Sequence, residues 1–253
     1  MLQRGQVQLQ GIAFPFSIRE QGTSVELLSL KSRDYAKWIA ENRLEGDKQW
    51  GIISEAKTKE ERLLLSLTFK RVIRTRYKFQ NGRIEKVEEE STEPELGEFH
   101  FRDDDLLELF SCGAKLRTSI LKSISEAFGK EELSGLSLTK DAMTSLMEEA
   151  IEVNSVSFTG LGNPFFTDVT LSGPDPKGSK THKELLQNGE IKSFRGKFQT
   201  STDDASIAPL MVTISSNCKV RFFGGQNPVA QSDIEEFTKK VASLATSVRD
   251  EMA

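Results

Sequence analysis

Gly173-Pro174-Asp175-Pro176-Lys177-Gly178-Ser179-Lys180-Thr181 is the stretch that comes nearest to a chemical motif. It almost spells G-x-x-x-x-G-K-[ST], a loop whose backbone amides cradle phosphate. Ser179 displaces the lysine by one place. Pro174 and Pro176 lack amide hydrogens that such a cradle uses. Simple anion contact fits this loop better than nucleotide hydrolysis. His100 and His182 are the only histidines, and neither is spaced with cysteine or aspartate as a metal set. Asp103-Asp104-Asp105 has the charge to hold a hard cation, yet polar turn tips are commonly acidic. Cys112 and Cys218 read as small buried apolar residues. No Gly-x-Ser-x-Gly elbow occurs. No catalytic residue, metal ligand or cofactor is assigned, and the chain reads as a binding protein rather than an enzyme.

Two basic sets are the remaining candidates. The first is Lys70, Arg71, Arg74, Arg76 and Lys78 on one strand. Phosphate binding rests on such clusters. A hairpin closed at Asn81-Gly82 would set Lys78 opposite Glu85 and Arg74 opposite Glu89, which offsets their charge. Arg76 would face Val87 and is the least compensated. The second set is Lys192, Arg195, Lys197, Lys219 and Arg221, interleaved with Phe194, Phe198, Phe222 and Phe223. Strand alternation puts Lys219, Arg221 and Phe223 on one face, Val220 and Phe222 on the other. Cations with an aromatic ring on a sheet suit groove binding or single-strand stacking. The assigned nucleic-acid residues are Lys192, Arg195, Lys197, Lys219, Arg221, Phe223 and Arg76.

These residues need strands and helices to hold them. Gln6 to Phe14 alternates like a strand with a bulge at Gly11, and Ser24 to Leu30 reads as a second strand. Ser32 to Asn42 is helical, with Tyr35, Trp38 and Ile39 on one side. Gly46 to Ile53 reads as a loop pinned by Trp50, and Ser54 to Arg62 as a weak helix. A long hairpin spans 63–90, with Leu65, Leu67, Phe69, Ile73, Tyr77 and Phe79 on one parity. Ser91 to Gly97 is a connector. Phe99 to Phe110 is a second hairpin across the triple aspartate, followed by a helix that Gly129 ends. A further helix carries Met143, Leu146, Met147, Ala150 and Ile151. The second half begins with strands at Val153–Phe158 and Phe165–Leu171. A short helix Thr181–Gln187 and a strand Glu190–Phe198 come next. Leu210–Ile214 and Cys218–Phe223 then flank a polar turn. Ser232-Asp233-Ile234-Glu235 is a capping box that opens a helix to Val248.

Composition narrows the function class. The 253 residues are 28% charged and 37% hydrophobic, enough for one large domain or two small ones. A net charge of −4 argues against a general polyanion binder but leaves room for a local basic patch. Two cysteines give no disulfide framework, so a reducing cytoplasm is the expected compartment. No apolar run approaches a membrane span, and Met1 to Gln6 lacks the apolar core of a secretion signal.

The run Ile214-Ser215-Ser216-Asn217-Cys218-Lys219-Val220-Arg221-Phe222-Phe223-Gly224 with the helix after it resembles the closing part of a repeat in the TATA-box-binding-protein family. There an apolar strand, a Ser-Ser turn, a short strand, a glycine and a long helix follow in that order. The family has a phenylalanine before the turn, where this chain has Ile214. The resemblance implies a saddle: a concave sheet for nucleic acid, with helices above for protein partners. The expected fold is therefore α+β, two similar units of antiparallel sheet at 1–151 and 152–253, with long helices packed on one face. The expected function is non-catalytic nucleic-acid association, with DNA or RNA as the partner and no membrane. The alternatives are a protein-interaction subunit of a larger nucleic-acid-processing or defence complex, working through its helices, and a phosphate-binding enzyme resting on the Gly173 loop.

Overall fold

The computed structural model describes residues 23–31, 34–57, 61–80, 83–162, 167–199, 209–223 and 229–248. The strand expected at 6–14 and the Asn81-Gly82 turn lie outside them. The protein is α+β; the described residues form one large antiparallel sheet and five α-helices. The first half runs β1 (Ser24–Leu30), α1 (Ala36–Glu41), β2 (Trp50–Lys57), β3 (Glu61–Gln80), β4 (Arg83–Arg102), β5 (Leu106–Phe110) and α2 (Ala114–Phe128). Next come β6 (Leu133–Leu138), α3 (Lys140–Glu149), β7 (Glu152–Thr159), β8 (Asp168–Ser172) and α4 (Lys180–Asn188). The chain closes with β9 (Glu190–Phe198), β10 (Leu210–Ser215), β11 (Lys219–Phe223), α5 (Gln231–Leu244) and β12 (Ala245–Val248). The sheet order is β2-β3-β4-β5-β1-β11-β10-β9-β7-β8, with β6 on β1 and β12 on β6.

β1 is the hinge of the design. One edge pairs with β5 throughout. The other is shared: β11 takes Ser24 to Glu26, and β6 takes Leu28 to Leu30. Both faces of β1 are buried. Val25 and Leu27 enter a core with α3, α5 and the strands of the second half. Leu28 and Leu30 enter a separate core with α1, α2, Phe99, Phe101, Leu107 and Leu109. The β1–β5 register is continuous, so successive side chains point to opposite faces. The long helices therefore lie on opposite faces of the sheet, not on one. Alternation along the central strand is the reason, and the same switch occurs in β6, where Leu133 joins one core and Leu136 and Leu138 the other. The cores do not divide at 151, because Leu136 and Leu138 of β6 and the apolar side of α3 pack into the core of the second-half strands.

Several local elements depart from the sequence reading. Trp50 to Lys57 is a strand, where a loop and a weak helix were expected. It pairs with β3 and docks on Arg43, and those bonds override the helical propensity of its charged residues. β4 runs unbroken through Pro94 to Arg102, so the hairpin is longer than 63–90. α5 starts at Gln231 with no side-chain cap, and the chain leaves it for β12 instead of continuing helically to Val248. Thr139 caps α3 by accepting from the Ala142 amide at 3.2 Å. Ile151 is exposed past its end rather than packed with Met143 and Leu146.

Beyond Phe69, β3 and β4 leave the body as a two-stranded arm. Eleven residue pairs at ~3.4 Å per residue give it a length of about 37 Å. None of its described side chains is buried. The parity that carries Leu65 and Leu67 does not face the core; Leu64, Ser66 and Thr68 do. Farther out, Tyr77, Phe79 and Ile84 are 70%, 75% and 72% exposed.

Candidate nucleic-acid interface

The second-half strands send their apolar residues to α3 and α5: Val156, Phe194, Val212, Ile214, Val220 and Phe222 are all buried there. No described helix covers the opposite face of these strands. Register defines what lies on it. Arg195, Thr213, Arg221 and Ser24 form one row across β9, β10, β11 and β1. Lys197, Met211 and Phe223 form the next. Ser157, Ser193 and Ser215 form a third, made wholly of small hydroxyls. These registers put Lys197, Lys219 and Arg221 on one face, with β10 standing between the two strands that carry them.

Phe223 is the aromatic centre of this face. The Arg195 guanidinium carbon lies 4.3 Å from its ring centroid and that of Arg221 lies 4.9 Å away. Such contacts orient planar guanidinium groups for stacking. Among the described residues no ion pair engages either arginine. The lysines differ. Lys192 pairs with Asp168 at 2.6 Å, Lys197 with Glu152 at 2.5 Å, and Lys219 with Glu26 at 3.7 Å. The hydrogen bond from Lys192 holds Asp168 below the usual carboxylate range, and that from Lys197 does the same for Glu152. The assigned set thus divides into two arginines around a ring and three lysines with acidic partners.

Arg76 lies elsewhere, on the arm. The register sets it opposite Val87, as expected, yet its side chain reaches diagonally to Glu89 at 3.5 Å. Arg71 pairs with Glu90 at 2.6 Å and Arg74 with Glu93. Sequence pairing read only directly opposite residues, whereas Arg71 and Arg76 use diagonal neighbours and Arg74 reaches a glutamate four positions from Glu89, which it faces. Among the described residues no ion pair engages Lys78 or Arg83.

Glu26 is the residue that sequence reading missed. It sits where the open face meets α2. Arg117 donates to both its oxygens, Nε to Oε2 and Nη2 to Oε1, each at 2.5 Å. The Glu26 hydrogen bonds push the Arg117 pKa up. A lone Glu in an apolar strand, between Val25 and Leu27, was the available signal.

Other expected chemistry disperses. In the Gly173 loop, Ser179 caps α4 by accepting from the His182 amide at 3.1 Å. Lys177 donates to the Ala150 carbonyl, and Lys180 pairs with Glu184. His100 is buried between Glu98 and Glu108, and Asp104 binds Arg102. Burial pushes the Cys218 thiol up to about 12, and Cys112, where burial is joined by nearby carboxylates, also to about 12. Among the described residues no three His, Cys, Asp or Glu side chains gather as a metal-ligand set, and no helix is long and apolar enough to cross a membrane.

A scan against protein-family models matches none, and a search of curated proteins finds no match.

Proposed function

We propose that the protein is a non-catalytic nucleic-acid-binding module that receives single-stranded DNA or RNA on the open face of β9, β10 and β11. The observation that carries this reading is the Arg195–Phe223–Arg221 group on a sheet face that no described helix covers. Bases stack on aromatic rings and guanidinium planes whatever their identity, and such stacking contributes ~1–3 kcal/mol per base. The surrounding serines and threonines offer short hydrogen bonds that leave room for a strand. Single strands suit this face better than duplex. Ile214, at the position where the TATA-box-binding-protein family has its wedging phenylalanine, is buried against the helices. The resemblance to that family therefore lends the sheet platform to the reading and not the groove-bending grip. Fluorescence anisotropy with a mixed-sequence single strand and its duplex tests it. Binding of the single strand, weakened ~5- to 150-fold by Phe223→Ala, supports it. Absence of binding at low salt to either form contradicts it.

The arm supports a second reading, a subunit that docks on a protein. Tyr77, Phe79 and Ile84 are exposed together, while Arg71, Arg74 and Arg76 are occupied by glutamates. An apolar surface with its charges internally offset suits a protein partner more than a polyanion. Pull-down with wild type and with Tyr77→Ser plus Phe79→Ser tests it. A partner lost only in the double variant supports it, and identical partner sets contradict it.

A further inference from the structure

Beside the open face, on the same side of β1, lies a cleft of about 680 Å³ between α2, β6 and the β10–β11 turn. Its size falls in the range that holds one small molecule. Leu28, Leu121 and Leu133 give it apolar walls. Glu26 stands in it, fixed by the two-pronged Arg117 bond and only 13% exposed in its side chain. Lys130, Glu131 and Lys219 stand at its border; Lys219 pairs with Glu26 at 3.7 Å, and among the described residues Lys130 has no ion pair. The cleft adjoins the open face: Glu26 is paired in register with Lys219, two positions along the ladder from Ser24 and Arg221.

The geometry points to a nucleotide site in this cleft, with the base between the leucines, its amino group at Glu26, and the phosphate at Lys130. A nucleotide is the ligand class that meets all three features at once. Its planar base fills an apolar slot. Its exocyclic amino group donates to a fixed carboxylate. Its phosphate meets the Lys130 cation. A simple fatty acid lacks the donor, and an inorganic anion lacks the apolar body. Glu26 accepts from the amino group of adenine, cytosine or guanine; uracil has none to give, so it is disfavoured. The nucleotide comes either free from solution or as one residue of the strand on the open face, and the second source rests on the function proposed above.

Calorimetric titration of the full chain with AMP, CMP, GMP and UMP, and with a mixed-sequence single-stranded 12-mer, separates these cases. Two variants accompany wild type: Ser137→Trp, which fills the cleft from β6, and Lys130→Ala, an exposed change that leaves packing intact. Binding of an amino-bearing mononucleotide over UMP, cut at least tenfold by Ser137→Trp and about threefold or more by Lys130→Ala, establishes a site for free nucleotide. Loss of 12-mer affinity in both variants without mononucleotide binding establishes the strand as the source. A 12-mer that binds wild type and both variants alike, with no mononucleotide bound, overturns the cleft site and leaves the open-face reading intact. Mononucleotide binding with no 12-mer binding does the reverse. If Ser137→Trp does not fold, Lys130→Ala alone decides: unchanged affinity for both ligand types overturns the site.

Discussion

His100 stands opposite Glu108 across the β4–β5 ladder, its Nδ1 3.5 Å from the carboxylate, while its Nε2 lies 2.5 Å from Glu98. Burial alone would lower the pKa of this ring. The hydrogen bonds to Glu108 and Glu98 overcome burial and raise it from 6.5 to about 8. The folded state thus holds the proton more tightly than the unfolded one. The stabilisation is fully present below pH ~6.5 and is lost as pH rises through about 8, and it amounts to ~2 kcal/mol. His182 acts oppositely. Burial lowers its pKa, with Asp175 countering in part, and among the described residues neither ring nitrogen has a hydrogen-bond partner. Its contribution is present above pH ~6.5 and is lost as pH falls through the lower folded value. Urea unfolding from pH 5 to 9 should therefore show a maximum between the two limbs. His100→Gln should flatten the alkaline limb and His182→Leu the acid one; limbs unchanged in both variants would disprove the assignment.

Phe237 meets Phe198 and Phe222 edge-on, with ring centroids at 4.8 and 5.8 Å, and is 7% exposed. It joins α5 to the back of the open face. Phe237→Ala should cost ~3–5 kcal/mol by chemical denaturation. A loss below ~1 kcal/mol would mean that α5 is not a structural layer.

Gly51 marks where β2 crosses the residues after α1. A Cβ there would sit 2.5 Å from Leu44 Cα and 2.6 Å from its amide nitrogen. The neighbouring bonds Leu44 N–H to the Ile52 carbonyl and Ile52 N–H to the Asn42 carbonyl fix that approach. Gly51→Ala should lower stability by ~1–3 kcal/mol. Gly178→Ala, where an added Cβ meets nothing within 4 Å, should leave the melting temperature almost unchanged.

Much of this fold is written locally. The β3–β4 register could be counted outward from Asn81-Gly82, since pairing is fixed once the turn length is known. Gly129, with φ 101°, ends α2 as its position implied. Phe223 on the basic side of β11 followed from alternation alone. Long-range facts were harder. The adjacent Leu27 and Leu28 signal a strand buried on both faces, but a single strand does not say which helices cover which side. β6 and β12 escaped notice because Leu133 to Leu138 and Ala245 to Val248 are short and acquire their strand form only by pairing with each other and with β1. The acidic partners of Lys192, Lys197 and Lys219 sit 24, 45 and 193 positions away in the chain, so no local pattern announced them.

The most direct test of the open face is the salt dependence of single-strand binding. Among the described residues Arg195 and Arg221 are the cations there without acidic partners, whereas Lys78 belongs to the arm. Each phosphate contact on a single strand contributes ~0.7 to the slope of log affinity against log salt. Arg195→Ala with Arg221→Ala should flatten that slope by about 1.4 and leave the melting curve close to wild type. Lys78→Ala should leave the slope where it was. A double variant whose slope equals that of wild type would contradict the open face as the binding surface.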